Sequence, residues 1–275
     1  GGRPDFRWVV GGNYERTKVF EIADNLSYDS TSGAVNGAGV ITDDNNQRMT
    51  NYAGFANAEF DVASNITLKG GVRFSQANRY SDVAAFNPPG QGPINGLPYT
   101  FTEFFNLVYG LVYAGAVPPV TPGESIILDT RTNADGTPLD PATYLKTGRF
   151  VGRIKESSTS WSAGVDFKAT PDLLFYANVA KGYKSGSFPF LAASIYSGLD
   201  PVKQESLLDY EAGFKAELFD RKVSLTGAAF YYDYRNKQLL TKFVDPIFGQ
   251  LDLLANVPKS SVKGAELALS ARPAD

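Results

Sequence analysis

The chain has 275 residues, 26 Lys and Arg against 29 Asp and Glu, a net charge of −3, and neither Cys nor His. Those two absences exclude disulfide frameworks, thiolate metal sites, cysteine nucleophiles, Ser-His-Asp triads and histidine metal sites. The weakly acidic balance argues against a nucleic-acid partner. No catalytic residue, metal ligand or cofactor is assigned, and the chain is read as a non-enzyme.

In chain order, the first predicted element is Phe6 to Arg16, where Phe6, Trp8, Val10 and Tyr14 alternate with Arg7, Asn13 and Glu15. Asn51 to Val62 sets Tyr52, Ala56, Ala58 and Phe60 against Asn57, Glu59 and Asp61. From Asn65, Ile66, Leu68, Val72 and Phe74 oppose Thr67, Lys69, Arg73 and Ser75. Phe101 to Val120 is the longest apolar run, but Glu103, Asn106 and Pro118-Pro119 interrupt it, so no transmembrane helix is expected. From Ser158, Trp161, Ala163, Val165 and Phe167 oppose Ser160, Ser162, Asp166 and Lys168. Leu173 to Lys184 alternates adequately. From Leu208, a six-residue apolar set ending at Leu218 faces Asp209, Glu211, Gly213, Lys215 and Glu217.

Val223 to Tyr234 begins on one parity and ends on the other (Phe230, Tyr232, Tyr234), which a bulge near Gly227 reconciles. Ser261 to Ala271 completes about eight strands of roughly 10 to 15 residues, against a usual length of about 5 to 6. Strict period-2 alternation marks strands with one apolar and one polar face.

Turns near Ala63-Ser64, Thr170-Pro171-Asp172 and Phe219-Asp220-Arg221 are short. The connections over 17–46, 80–156, 186–204 and 237–258 are long, and the two kinds alternate. A soluble sandwich also alternates its faces. Long strands and asymmetric connections favour an outer-membrane barrel with short periplasmic turns and long extracellular loops. Tyr14, Tyr52, Phe74, Tyr183, Tyr232 and Tyr234 fall at the long-loop ends, and Phe60, Phe167, Phe175 and Phe219 at the short-turn ends, as two interfacial girdles require.

The second half carries an ordered set of elements: LLFYANVAKGYKSGSF (173–188), DPVKQESLLDYEAGFKAELFDRKVSLTGAAFYYDYRNKQ (200–238) and NVPKSSVKGAELALSARPAD (256–275). This set resembles the TonB-dependent outer-membrane receptors, plugged barrels of about 22 strands. Asn51 to Phe74 is similar to an earlier barrel hairpin of the same family. The resemblance implies an all-β, antiparallel, up-and-down transmembrane β-barrel segment, with residues 1–275 forming roughly a third of one barrel domain. It implies residence in the outer membrane of a Gram-negative bacterium and energy-coupled import of a scarce substrate such as a siderophore, cobalamin or saccharide. The implied partners are outer-membrane lipid, a small-molecule substrate and the TonB energy-coupling complex, reached through a plug domain. Neither a plug domain nor an energy-coupling box precedes the barrel and no aromatic-ended last strand closes it, so the chain is expected to be an interior fragment.

Two groups of candidate site residues follow. Lys69, Arg73, Asp166, Lys168, Asp209, Glu211, Lys215, Glu217 and Glu266 are expected on a lumen-facing wall, either contacting plug and substrate or forming a solvated, ion-paired lining. Gly182, Gly213 and Gly264 are expected at crowded lumen-side contacts. In the longest loop, Tyr99, Phe101, Phe104, Phe105, Tyr109 and Tyr113 are candidates for substrate contact. Their spacing of 3 and 4 equally suits a short helix packed into the loop's own core. Asn133, Asp135, Gly136 and Asp140 resemble half of a calcium loop, but Arg131 and Ala142 occupy ligand positions of that template. A self-contained small barrel with a structural or adhesion role is the alternative function, though a loop of about 75 residues is a heavy load for it.

Overall fold

The computed structural model describes residues 5–26, 40–93, 98–189 and 193–272. Its strands are β1 (Phe6–Leu26), β2 (Val40–Ala63), β3 (Ile66–Phe86), β4 (Phe150–Thr170), β5 (Leu173–Lys184), β6 (Glu205–Leu218), β7 (Val223–Asp245) and β8 (Gly249–Ala271). They form one antiparallel sheet in sequence order. Among the described residues β1 and β8 do not pair with each other, so the barrel wall is open. A helix, α1 (Phe101–Val112), lies in the connection between β3 and β4.

Pairing resolves the two faces rung by rung, because directly opposed residues point the same way. One rung runs Phe6, Phe60, Leu68, Val165, Ala177, Ala212, Ala229 and Ala265 and is wholly apolar across eight strands. The adjacent rung runs Arg7, Glu59, Lys69, Gly164, Asn178, Glu211, Phe230 and Gly264, and it carries most of its charge. On β1, β2 and β3 the apolar side spans Phe6 to Tyr14, Phe60 to Tyr52 and Ile66 to Phe74. These are nine-residue bands, the length that crosses a bilayer as a tilted strand (about 9–11 residues). Trp8 is 65% exposed and Leu267 72%, so the sheet buries neither against protein.

The strands outrun the sequence expectation. β1, β2, β3, β4, β7 and β8 have 21 to 24 residues each. The expected connection over 237–258 is instead a hairpin extension, with Asp245 paired to Gly249 around residues 246–248. The one over 80–156 narrows to 87–149. Of the connection over 17–46, residues 17–26 and 40–46 are strand, and 27–39 lie outside the described residues. The strict alternation of short and long connections therefore fails at β7–β8. Outside the membrane band neither strand face must be apolar, so hydrogen bonding continues after the period-2 signal has ended.

The bulge expected at Gly227 is also absent: Gly227 pairs regularly with Phe214 and Leu267. Register shifts occur beside two short turns, at Asp61/Ala63 and Lys168/Thr170. β7 keeps one parity throughout, which moves Phe230, Tyr232 and Tyr234 to the polar face. Tyr232 and Tyr234 thus leave the upper girdle, where Tyr210 and Tyr231 stand, their ring centroids 6.5 Å apart.

The hydrophobic core lies outside the membrane band. Phe101, Phe105, Tyr109, Ile126, Ile127, Leu128 and Leu199 are almost fully buried. They pack in one cluster with Val83, Ala85 and Phe150 from the strand ends, and with Phe188, Ile195, Tyr196 and Ile247 from the other connections. Three connections thus share one core. Helix α1 begins there because Thr100 and Glu103 form a reciprocal capping box.

Candidate functional site

The nine charged wall residues all fall on the polar face of the sheet. Lys69 pairs with Asp166. Arg7 donates to Glu59 (3.2 Å) and to both carboxylate oxygens of Asp61 (2.9 and 3.1 Å). Arg73 donates to Asn13 Oδ1 (2.7 Å) and Ser75 Oγ (3.0 Å), so its guanidinium is held flat against the wall. Tyr176 donates to Glu211 Oε1 (2.8 Å), and the Lys215 ammonium lies 5.9 Å from the Tyr176 ring centroid. Among the described residues Asp209 Oδ1 accepts no hydrogen bond. Glu217 faces the short-turn end with Asp172, Arg221 and Arg272 around one hollow. Lys168 lies opposite Leu174 and Glu266 opposite Ala228. Paired charges predominate on β1 to β4, while among the described residues Asp209 and Glu266 form no ion pair.

A panel of rings whose apolar character predicts the opposite face joins this wall. Phe230 and Tyr232 stack at 4.7 Å with 24° between planes. The signal that locates them is the unbroken series Val223, Leu225, Gly227, Ala229 and Tyr231, which fixes the parity of β7. Gly264 is required beneath the panel, since a Cβ there would meet Phe230 at 2.7 Å. Gly213 is similarly covered by the Tyr176 ring, whereas Gly182 has open space and is not a crowded contact.

Against the upper part of the wall, residues of β1 to β5 and the β5–β6 connection line a hollow of about 350 Å³. Its lining includes Asn13, Glu15, Asn51, Arg73, Glu156, Ser158, Ser160 and Gln204. Glu156 accepts from the backbone N–H groups of Gly186 (2.7 Å) and Gln204 (2.9 Å), which holds the β5–β6 connection over β4. Hydroxyls, amides and carboxylates there suit a polar, hydrogen-bonding ligand.

The loop aromatics divide. Phe101, Phe105 and Tyr109 are 0–1% exposed and present no surface to a ligand. Their i, i+4, i+8 spacing makes the buried stripe of α1, the packing alternative. Tyr99 is exposed, and Phe104 and Tyr113 are half-buried. Tyr109 donates to the carbonyl of Ser194 (2.7 Å), and burial pushes its phenol up. Asp245, at the tip of β7, accepts from Ser194 N (2.7 Å), Ser194 Oγ (2.6 Å), Ile247 N and Phe248 N (both 2.9 Å). This buried carboxylate ties the β5–β6 connection to the β7–β8 hairpin.

A second buried carboxylate, Asp129, accepts from Arg131 (2.9 and 3.0 Å) and Thr143 (2.8 Å). Burial pushes it up, but these donors outweigh that and hold it below its ordinary value. The Arg131 guanidinium also lies 4.9 Å from the Tyr196 ring centroid. Asp200, 3.4 Å from Arg131, is raised by burial despite that cation. The calcium-like stretch is a tight turn: Asp135 accepts from Thr137 N (3.0 Å) and Oγ1 (2.7 Å) around Gly136 at φ 83°.

The sequence model of the family described as "TonB dependent receptor-like, beta-barrel" matches residues 1–272. The metal-pseudopaline receptor CntO of Pseudomonas aeruginosa is 31% identical over 98 residues, which is 34% of this chain and 13% of that protein. The solved ferric yersiniabactin uptake receptor FyuA from Yersinia pestis superposes with a TM-score of 0.58 at 16% identity, over 100% of this chain and 31% of that one. The siderophore receptor PiuA from Acinetobacter baumannii gives 0.56 at 14% identity, over 99% and 34%. These structures share the fold. The chain spans about a third of each of them and 13% of the curated relative.

Proposed function

The chain belongs to the TonB-dependent receptor β-barrel family, and from that membership we propose that it forms part of the wall and mouth of a Gram-negative outer-membrane importer. The observation that carries the reading is the pair of adjacent eight-strand rungs, one wholly apolar and one charged. Such a sheet separates lipid from an aqueous interior. The apolar face meets the membrane, and the charged face with its aromatic panel lines the lumen. The mouth is the body of loops that shares one core.

The substrate is a small polar molecule, and a metal chelate is the class that the similar receptors favour through what they are named for. The hollow beside Glu15, Arg73 and Glu156 and the panel at Phe230 and Tyr232 are the contact candidates on the wall. Tyr99, Phe104 and Tyr113 are those on the loops. The TonB complex supplies the energy through a plug domain.

Membrane fractionation of the full-length gene product tests the wall. It should appear in the outer membrane with heat-modifiable gel mobility, and recovery as a soluble protein would sink the reading. Uptake of radiolabelled ferric chelates by cells with and without the gene tests the import. Uptake that persists after the TonB complex is removed would count against energy coupling.

A further inference from the structure

Two arginines stand near the hollow lined by Glu15 and Glu156, and the wall occupies only one of them. Arg73 is held by Asn13 Oδ1 and Ser75 Oγ. Arg79 lies on the same face of β3, one rung above Ala77, between Met49 on β2 and Ile154 on β4. Among the described residues it forms no ion pair. Its Nη1 reaches only the Met49 sulfur (2.6 Å), a weak acceptor, and its Nε is buried with no acceptor. Half-burial pushes this guanidinium down, against the fields of Glu156 and Glu15. Its charge therefore acts on two groups that line the hollow. The roof over it is fixed, because Gln47, one rung higher, donates to the carbonyl of Pro189 in the β5–β6 connection (3.2 Å). A cation drawn out of water in this way is stabilised only when an anionic acceptor is supplied.

The rung below carries the complementary group. Asn51 donates through Nδ2 to Glu15 Oε2 (3.2 Å), which leaves its Oδ1 buried and without a donor. Asn51 and Arg79 are diagonal neighbours on paired strands, about 7–8 Å apart. An anionic acceptor and an N–H donor on adjacent atoms of one ligand bridge that separation once the Arg79 side chain is included. Glu156 does not compete for Arg79, since two backbone N–H groups, of Gly186 and Gln204, already hold it.

We propose that the imported chelate carries an amino carboxylate group, with its carboxylate anchored by Arg79 and its N–H donating to Asn51 Oδ1. The proposal rests on the hollow being a substrate contact and names the substrate class for it. The planar guanidinium fork matches a carboxylate, to which it can donate twice. An amine keeps its N–H when it binds a metal. An α-hydroxyl loses its proton to a strongly acidic metal ion and brings Asn51 a second acceptor in place of a donor. A catecholate or an N-alkyl hydroxamate brings Arg79 no carboxylate.

The test is isothermal titration of the full-length gene product folded in detergent. The probe is nickel ethylenediamine-N,N′-diacetate, compared with its N,N′-dimethyl derivative, which has the same charge and no N–H. Wild type should bind the first roughly tenfold more tightly than the second. Arg79→Gln should weaken binding of the first roughly 10- to 100-fold, the loss expected for a charged hydrogen bond, and Arg79→Lys should recover part of it. Asn51→Ala should bring the two probes to equal affinity, and Lys146→Gln, in a distant loop, should change nothing. No binding of the first probe by wild type, equal wild-type affinity for both probes, or unchanged affinity in Arg79→Gln would overturn the proposal. Energy-coupled uptake of a ferric trihydroxamate that is indifferent to Arg79→Gln would overturn the substrate class and leave the importer standing. Absence of the full-length protein from the outer membrane would instead remove the importer, and this proposal with it. Heat-modifiable mobility of each variant separates loss of the anchor from loss of the barrel.

Discussion

Ala163→Arg measures the two-faced wall directly. On β4 the apolar side runs from Phe167 to Thr159, and Ala163 is its midpoint, between Gly70 and Val179 on neighbouring strands. Eight residue steps at about 3.4 Å, tilted by about 35–45°, make a band roughly 20 Å tall, so Ala163 lies about 10 Å from each interface. An Arg at the bilayer midplane costs about 2–4 kcal/mol, or roughly 30- to 1000-fold in the folding equilibrium. Ser162, the preceding residue, is exposed on the polar face between Gly71 and Ala180. Arg at that position should change stability by no more than about 0.5 kcal/mol. The assay is urea titration of the full-length protein folded into phosphatidylcholine vesicles, following the heat-modifiable fraction. Equal effects of the two substitutions, or a larger effect at Ser162, would refute the assignment of faces.

Three further outcomes follow from the loop body. Phe105→Ala removes a fully buried ring 3.9 Å from that of Tyr109 and should cost the loop core about 3–5 kcal/mol. Limited proteolysis should then cut within residues 87–149 while the strands stay folded, and an unchanged cleavage pattern would contradict it. Asp245→Ala strands the Ser194, Ile247 and Phe248 donors, so amide exchange should accelerate at 193–196 and 246–248 together. Acceleration at one segment only would mean the carboxylate does not link them. Asp129 has a folded value below its unfolded one, near 3.9, so its contribution is present above about pH 4 and is lost as pH falls through the folded value. Asp200 is raised, so it opposes folding at neutral pH, and that penalty lifts as pH falls through its folded value. Arg131 serves both carboxylates, and Arg131→Gln should move acid loosening of the loop to higher pH. Amide exchange between pH 3 and 7 reads it, and identical profiles would exclude the mechanism.

The membrane band was legible in sequence because lipid on one side and water on the other impose strict alternation, as in Ile66 to Phe74. Charged wall positions such as Lys69, Asp166 and Glu211 follow from the same parity. The extracellular strand extensions were not legible. Thr17 to Asp24 pair in register with β2, and Asn45 to Met49 with both β1 and β3, yet their faces meet water or loop protein, so no period survives. Phe230, Tyr232 and Tyr234 escape the pattern because rings on the polar face break the rule that apolar residues share the apolar side. Phe101, Phe105 and Tyr109 gave two equal readings, since the spacing of a ligand cradle and of a buried helical stripe is the same. Burial alone separates them.

The wall and the mouth draw on different sources of stability, and this has a measurable consequence. The membrane band has few contacts beyond its hydrogen-bonded neighbours, and its apolar side chains are exposed for lipid, as at Trp8 and Leu267. The loop body buries its own core and is joined to the sheet through strand ends such as Val83, Ala85 and Phe150. Ala163 and Phe105 share no partner across that division. Distant, unconnected sites add within about 0.3–0.5 kcal/mol, so Ala163→Arg combined with Phe105→Ala should destabilise by the sum of the two. An interaction energy above about 1 kcal/mol would mean that the loop core and the wall are energetically coupled through the strand ends they share. Additivity would mean that the mouth can be reshaped for a different ligand without touching the residues that hold the protein in the membrane.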